Sequence, residues 1–333
     1  MSVLRVVIAA EEAAGARALR LLATTPHCVV AVLSAGLAEL AARLGHVAWS
    51  PSRVKDPAFA TTLRAHEVDL LLNVHSLCVV HGDVVRALRL GGFNLHPGPL
   101  PGYRGLNAPS WAIYEGERAH AVTLHWMNDG IDTGAIAYVA PVPITPDDTG
   151  LTLSAKCVRA GLPLVATLLE AASHSAGDIP RAPQPVGAGR YFGRGAPRGG
   201  EIDWSERAQR VTDFVRAADY APFPSPWATP WTRLPNGVTV ALSRVVRTGR
   251  PVEDVHPGTV GEALRGGVLV AAADEWVQVD RARLGDRDVE PMAVLPRGER
   301  LGVGSPTTRL ATRVRTRESP HRGRWPPPRA RRS

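Results

Sequence analysis

The chain has 333 residues, 44% of them apolar and 21% charged, a balance that builds an ordinary hydrophobic core and excludes a disordered or fibrous protein. A formal net charge of +8 raises nucleic acid as a partner, but nine arginines against one glutamate lie from Arg309 onward, which leaves residues 1–308 with no net charge. Three scattered cysteines, Cys28, Cys78 and Cys157, with no CxxC, give neither a disulfide framework nor a zinc ribbon and fit a reducing compartment, with cytoplasm as the default.

The opening run VLRVVIAA is apolar enough for a strand buried on both faces, and it gives way at once to Glu11 and Glu12, too soon for a secretory signal or a membrane span. A helix is expected over EEAAGARALRLLA, a strand over CVVAVLS, a helix opened by Asp56 and Pro57, a buried strand over VDLLLNV, a short helix over HGDVVRALRL and a strand over GFNLH. Alternation of this kind predicts a parallel sheet in an α/β layer, with ligands outside the carboxyl ends of the strands. The turn after the first strand, AAEEAAG, holds neither GxGxxG nor GxxxxGK[ST], which weighs against NAD and ATP. Further strands are expected over HAVTLHWM and AIAYVAPVPI, then a long helix over LTLSAKCVRAGLPLVATLLEAA with a kink at Gly161 and Pro163. SHSAGDIPRAPQPVGAGR is a linker by composition, and DWSERAQRVTDFVRAA is an amphipathic helix with Trp204 or Ser205 near its cap. Beyond it, short runs rich in Val and parted by Gly and Pro predict a small β-barrel, and the Arg/Pro-rich end cannot bury enough apolar surface to fold.

Two stretches carry chemistry. FNLHPGPLPGYRG places Asn94 and His96 at a predicted strand end before a stiff loop, and HWMNDGIDTG runs a strand into a turn that holds Asp132. An amide, an imidazole and a carboxylate on neighbouring strand ends can let one bound molecule attack another: donors hold a developing oxyanion while imidazole and carboxylate manage the proton. No serine or cysteine occupies a nucleophile elbow, so no covalent acyl-enzyme is expected. Taken singly, each residue also has a structural reading, since an Asn or Asp ties down a turn and a lone His sits in many cores. His75, His81, His96 and His125 show none of the usual metal-ligand spacings, so no metal is expected.

FNLHPGPLPGYRG followed by VTLHWMNDGIDTG resembles the paired signature of the folate-dependent formyltransferases, the family of methionyl-tRNA formyltransferase, the amino-sugar N-formyltransferases and glycinamide ribonucleotide transformylase. GRYFGRGAPRGGEIDWSERAQRVTDFVRAADYAPFPSPW is similar to the connector, and HPGTVGEALRGGVLVAAADEWVQV to the C-terminal barrel, of the methionyl-tRNA and amino-sugar members. The resemblance implies a Rossmann-like formyltransferase domain over 1–175, a linker and connecting helix over 176–227, and a small OB-like barrel over 228–302, with a disordered tail over 303–333. It implies 10-formyltetrahydrofolate as formyl donor, Asn94, His96 and Asp132 as catalytic residues, and Ser76, Leu77, Val79, Leu100 and Gly130 as contacts to the folate. One departure stands out: most members read His-x-Ser-Leu-Leu-Pro where this chain has His96-Pro97-Gly98-Pro99-Leu100-Pro101, which removes a hydroxyl and stiffens the loop. The acceptor expected is an amine of a small or carrier-tethered metabolite. The nearest rival is the tRNA enzyme, disfavoured by a body without net charge; the next is a hydrolase using water as acceptor.

Overall fold

The computed structural model describes residues 2–302 apart from residue 186, so the tail expected to be disordered over 303–333 lies outside the described residues. In chain order the first half runs β1 (Arg5–Ala10), α1 (Glu12–Ala23), β2 (Cys28–Leu33), α2 (Ala38–Arg43), β3 (Ala48–Trp49), α3 (Phe59–Ala65), β4 (Leu70–Val74), α4 (Gly82–Arg86), β5 (Gly91–His96), β6 (Arg104–Gly105), α5 (Ala108–Tyr114), β7 (Ala119–Trp126), β8 (Ile136–Pro143) and α6 (Gly150–His174). Seven strands form one sheet in the order β3-β2-β1-β4-β5-β7-β8. The pairings from β3 to β5 are parallel, and β7 and β8 join antiparallel. The parallel α/β layer expected from the alternation is therefore present, and its middle strands β1 and β4 are apolar at nearly every position because helices cover both faces. Asp56 accepts the Ala58 N–H at 2.9 Å in the turn that leads into α3, while the N-cap position itself is Ala58, whose methyl side chain cannot cap.

The long helix α6 is present as expected and is continuous from Gly150 to His174 with Pro163 inside it, and Gly161 lets it sit close to the sheet: a Cβ there would come within 3.1 Å of Leu95 and Val122. Among the described residues α6 alone is long and apolar enough to cross a bilayer, and it lies along the sheet with Leu153, Cys157, Val165 and Leu168 buried.

The second half comprises β9 (Tyr191–Phe192), α7 (Ala208–Ala217), β10 (Trp231–Arg233), β11 (Thr239–Pro251), β12 (Val260–Leu264), β13 (Gly267–Ala271), β14 (Glu275–Leu284), β15 (Arg287–Val289) and α8 (Pro291–Val294). Strands β10 to β15 make an antiparallel sheet ordered β10-β11-β14-β13-β12 with β15 on β14, consistent with the small barrel expected. Helix α7 starts later than the sequence pattern predicts. Trp204 is buried and donates its Nε1–H to Thr232 at 2.9 Å instead of capping, and the cap comes from Asp274, which accepts the Ala208 N–H at 2.8 Å. The cap of α7 is thus supplied by a carboxylate far along the chain.

Candidate active site

Strand register assembles the site. β4 and β5 pair so that Asn73 faces Asn94, and β5 and β7 pair so that Asn94 faces His125, giving a polar row across three strand ends. Side chains follow the register: Asn73 Nδ2 donates to Asn94 Oδ1 at 2.9 Å, and Asn94 Nδ2 stands 3.0 Å from His125 Nε2 and 3.0 Å from Asp132 Oδ1. A carboxylate oxygen can only accept, so the Asn94 amide nitrogen must face Asp132, and this fixes the amide's orientation.

Asp132 is the hub. It lies in the turn between β7 and β8, is 9% exposed, and has a φ of 53°, a left-handed conformation that a non-glycine residue holds only where its surroundings enforce it. Its Oδ2 accepts the Gly105 N–H at 2.8 Å and lies 3.5 Å from His96 Nδ1, while His125 Nε2 is 3.3 Å from Oδ1. Burial pushes its pKa up, but His125, the neighbouring His96 and the Gly105 N–H together outweigh burial and hold the carboxyl at about 2.

His96 is enclosed beneath the loop that follows it. Its Nε2 is 2.5 Å from the Tyr103 carbonyl, which can only accept, so Nε2 carries the proton and Nδ1 faces Asp132. Desolvation lowers its pKa and is the larger effect; Asp132 and the Tyr103 carbonyl pull the other way. The resting site thus pairs a neutral imidazole with an ionised carboxylate. Gly98 makes room for the imidazole, since a Cβ there would lie 2.8 Å from His96 Nε2 and 2.9 Å from Ala108. Thr123 on β7 fastens this loop to the sheet: it donates to the Gly98 carbonyl at 2.8 Å and accepts the Leu100 N–H at 3.3 Å.

Comparison with known proteins gives the same picture. The N-terminal formyl transferase model matches residues 3–166 and the formyl transferase C-terminal domain model matches residues 196–300. A methionyl-tRNA formyltransferase from Symbiobacterium thermophilum is 30% identical over 286 residues, 85% of this chain and 82% of that protein. The chain belongs to the formyl transferase family. Among solved structures, an N-formyltransferase from Helicobacter canadensis in complex with folinic acid and dTDP-3-aminofucose has a TM-score of 0.60 at 16% identity, covering 84% of this chain and all of that one. HypX from Aquifex aeolicus in complex with tetrahydrofolic acid has a TM-score of 0.59 at 20% identity, covering 89% of this chain but only 47% of that one, so the chain spans about half the length of HypX.

Within this family frame, Asn94, His96 and Asp132 are brought together as the two motifs lead one to expect. The five folate contacts expected are spread more widely. Leu77 and Val79 are 68% and 62% exposed on the loop after β4, and Ile131 is exposed beside Asp132. The turn that holds Asp132 is tied to α4, the helix following that loop, by Arg86, which reaches Asp129 at 3.2 Å. Ser76 is buried, and its carbonyl accepts from Asn73 at 3.3 Å. Leu100 is nearly enclosed and donates its backbone N–H to Thr123 at 3.3 Å, and Gly130 shapes the turn, donating its N–H to Asn128 at 3.1 Å. Among the described residues no group of three or more His, Cys, Asp or Glu side chains is placed to hold a metal ion. Asn73 and His125 escaped the motif reading. An Asn inside the otherwise apolar LLLNV was the available signal for the first, whereas His125 is identifiable only once β7 is known to pair antiparallel with β5.

Proposed function

We propose that the chain transfers the formyl group of 10-formyltetrahydrofolate to an amine of a small or carrier-tethered metabolite by direct attack. The observation that carries this reading is the convergence of an amide, a neutral imidazole and an ionised carboxylate at the carboxyl end of the central strands, within 3.5 Å of the Asp132 carboxylate. The exposed apolar side chains Leu77, Val79 and Ile131 offer a surface suited to a flat pterin ring, with Ser76, Leu100 and Gly130 behind or beside them.

In this scheme the neutral amine adds its lone pair to the formyl carbon, and the formyl oxygen takes up negative charge, which an Asn94 amide hydrogen stabilises by exchanging its resting bond to His125 or Asp132 for one to that oxygen; removing one such donor typically costs ~3–4 kcal/mol of barrier. The nitrogen that has attacked is now a strongly acidic ammonium. Because a carboxyl held at about 2 is a weak base, His96 Nδ1 is the better acceptor of that proton, and Asp132 at 3.5 Å stabilises the imidazolium. The proton passed on to the folate nitrogen makes it a leaving group, the C–N bond breaks, and the formamide and tetrahydrofolate remain. Asp132 thus acts mainly as the charge that makes His96 basic at the right moment.

A second reading, formylation of methionyl-tRNA, is favoured by the 30% identity to that enzyme over most of the chain. Against it stands the charge of the body: residues 228–302 hold ten arginines against ten acidic residues, and four of those arginines pair directly with carboxylates, Arg244 with Asp280, Arg247 with Glu275, Arg250 with Glu262 and Arg283 with Asp288, so the barrel carries no net positive charge for a phosphate backbone. The test is tetrahydrofolate release from 10-formyltetrahydrofolate with a panel of amines, with initiator methionyl-tRNA and with water alone, each at rising salt. A saturable, salt-insensitive rate with a small amine supports the proposal. Turnover only on tRNA, falling ~10³–10⁵-fold in affinity between 50 and 200 mM salt, replaces it by the second reading; an equal rate without any amine replaces it by hydrolysis.

A further inference from the structure

The segment that composition marks as a linker sends a side chain to the back of the site. Gln184 donates through Nε2 to the Asp132 carbonyl at 2.9 Å and the Gly134 carbonyl at 2.7 Å, and its Oε1 accepts from Arg104 Nη2 at 2.7 Å and Nε at 3.2 Å. Both donors and the acceptor of one amide are therefore spent on holding the turn that carries Asp132. Neighbouring residues fasten the same segment: Ala182 exchanges two backbone bonds with Ile136, Trp126 donates its Nε1–H to the Pro180 carbonyl at 2.8 Å, and the Arg181 guanidinium lies 4.0 Å over the Trp126 ring. A few residues on, β9 pairs with β6, and β6 holds Gly105, whose N–H donates to the Asp132 carboxylate. The fit is close, for a Cβ on Gly105 would meet the Phe192 carbonyl at 2.2 Å and one on Gly189 would meet Arg104 at 2.3 Å.

Asp132 sits in the left-handed region, outside any strand or helix whose ladder could fix its peptide planes. We infer that Gln184, braced by Arg104, is a positioning residue that aims the Asp132 carboxylate at His96, so that the stretch between the two halves is part of the catalytic machinery. This deepens the function proposed above and rests on Asp132 acting in that reaction. The leverage is geometric: a misplacement of about 1 Å in a reacting constellation can cost ~100-fold in rate.

The discriminating variant is Gln184→Glu in the full chain. It keeps the shape and the contact to Arg104 but turns two N–H donors into lone pairs facing two carbonyls. The expected result is a kcat lower by ~10–100-fold with KM for 10-formyltetrahydrofolate unchanged. The acid limb of the pH profile should also move, because the carboxylate partner of His96 has moved. Gln184→Met, neutral and of similar length, should give the same pattern without added charge. In an Asp132→Asn background neither change should lower turnover further, as expected for residues acting in one unit. If Asp132→Asn is inactive while both Gln184 variants keep wild-type kcat and pH profile, the inference is overturned and the site reading stands. If Asp132→Asn stays active, the site reading itself fails. Loss of activity only in proportion to loss of folded protein, or failure of both Gln184 variants to fold, also overturns the inference, since the amide would then serve stability alone.

Discussion

The two sides of the site are held in different ways. Asn94 and His96 belong to β5, a strand paired on both edges, so the sheet itself fixes where their side chains leave the backbone. Asp132 belongs to a turn with φ of 53°, and its place is set by contacts from elsewhere: the Gly105 N–H, the Asn94 amide and the Gln184 side chain. A strand can carry a reactive group with no help beyond its register. A turn can do so only when other parts of the chain are folded around it, and it gains in exchange a carboxylate that can approach two imidazoles at once.

The most direct way to break the comparison is Asp132→Asn. It preserves shape, removes the charge and sets an amide against the Gly105 N–H, so turnover should fall ~100–10,000-fold while folate still binds. Steady-state rates and a folate-induced rise in melting temperature read the two effects separately. Near-normal turnover would mean that the turn-held side is dispensable.

The next effect lies on the strand-held side and is read as stability. His120, buried on β7, faces the Pro97 carbonyl through Nε2 at 2.8 Å, and burial depresses its pKa from 6.5 to about 4. Above pH 6.5 it is neutral in both folded and unfolded chains and contributes nothing to the pH dependence. As pH falls from 6.5 to about 4 the unfolded chain takes the proton first, and stability is lost, to a limit of ~3 kcal/mol. His96 moves in the same direction. Asp132 does not titrate in this window, because its contribution is present above 3.8 and is lost only as pH falls through about 2. Urea unfolding between pH 7 and 4 should therefore show a slope that His120→Gln flattens. An unchanged slope in that variant would place the proton uptake elsewhere.

How much of this was legible in the sequence follows the same division. The alternating α/β order, the buried central strands and the two site motifs could be read because each depends on residues close together in the chain. The close seat of α6 on the sheet at Gly161, the late start of α7 and the pin on Asp132 could not. Gly161 is set by what lies beneath it, Leu95 and Val122; the cap of α7 comes from Asp274; and Gln184 stands in a Pro-rich stretch whose composition says only that it forms no helix or strand. Local pattern reports propensity, whereas these three features are decided by partners about 40 to 70 residues away, which no spacing rule reaches.

A smaller effect sharpens the strand-held side. Asn73 keeps Asn94 from rotating its amide, and its own Oδ1 is buried with no partner, so it spends its capacity on orientation. Asn73→Leu should lower kcat by about tenfold, the equivalent of one ordinary hydrogen bond, and should leave KM for the donor unchanged. A loss as large as that of Asp132→Asn would show that the strand does not hold Asn94 by register alone.

The smallest effect should come from the outer tie on the turn that carries Asp132. Arg86 reaches Asp129 at 3.2 Å and Asp83 at 2.7 Å, with both carboxylates and the guanidinium more than half exposed. Water screens such pairs and long side chains lose entropy in forming them, so the gain is small even when the geometry is good. The inner ties are of another kind, since Asp132 is nearly enclosed and its hydrogen bonds cannot be replaced by solvent without opening the turn. Arg86→Gln should accordingly change turnover by less than about twofold and make it no more sensitive to salt, whereas Gln184→Glu should not be so mild. Rates for the two variants, measured side by side from low to high salt, decide the matter. A tenfold loss in Arg86→Gln that high salt reproduces in the wild type would mean that surface charge, and not the enclosed amide, keeps Asp132 in place.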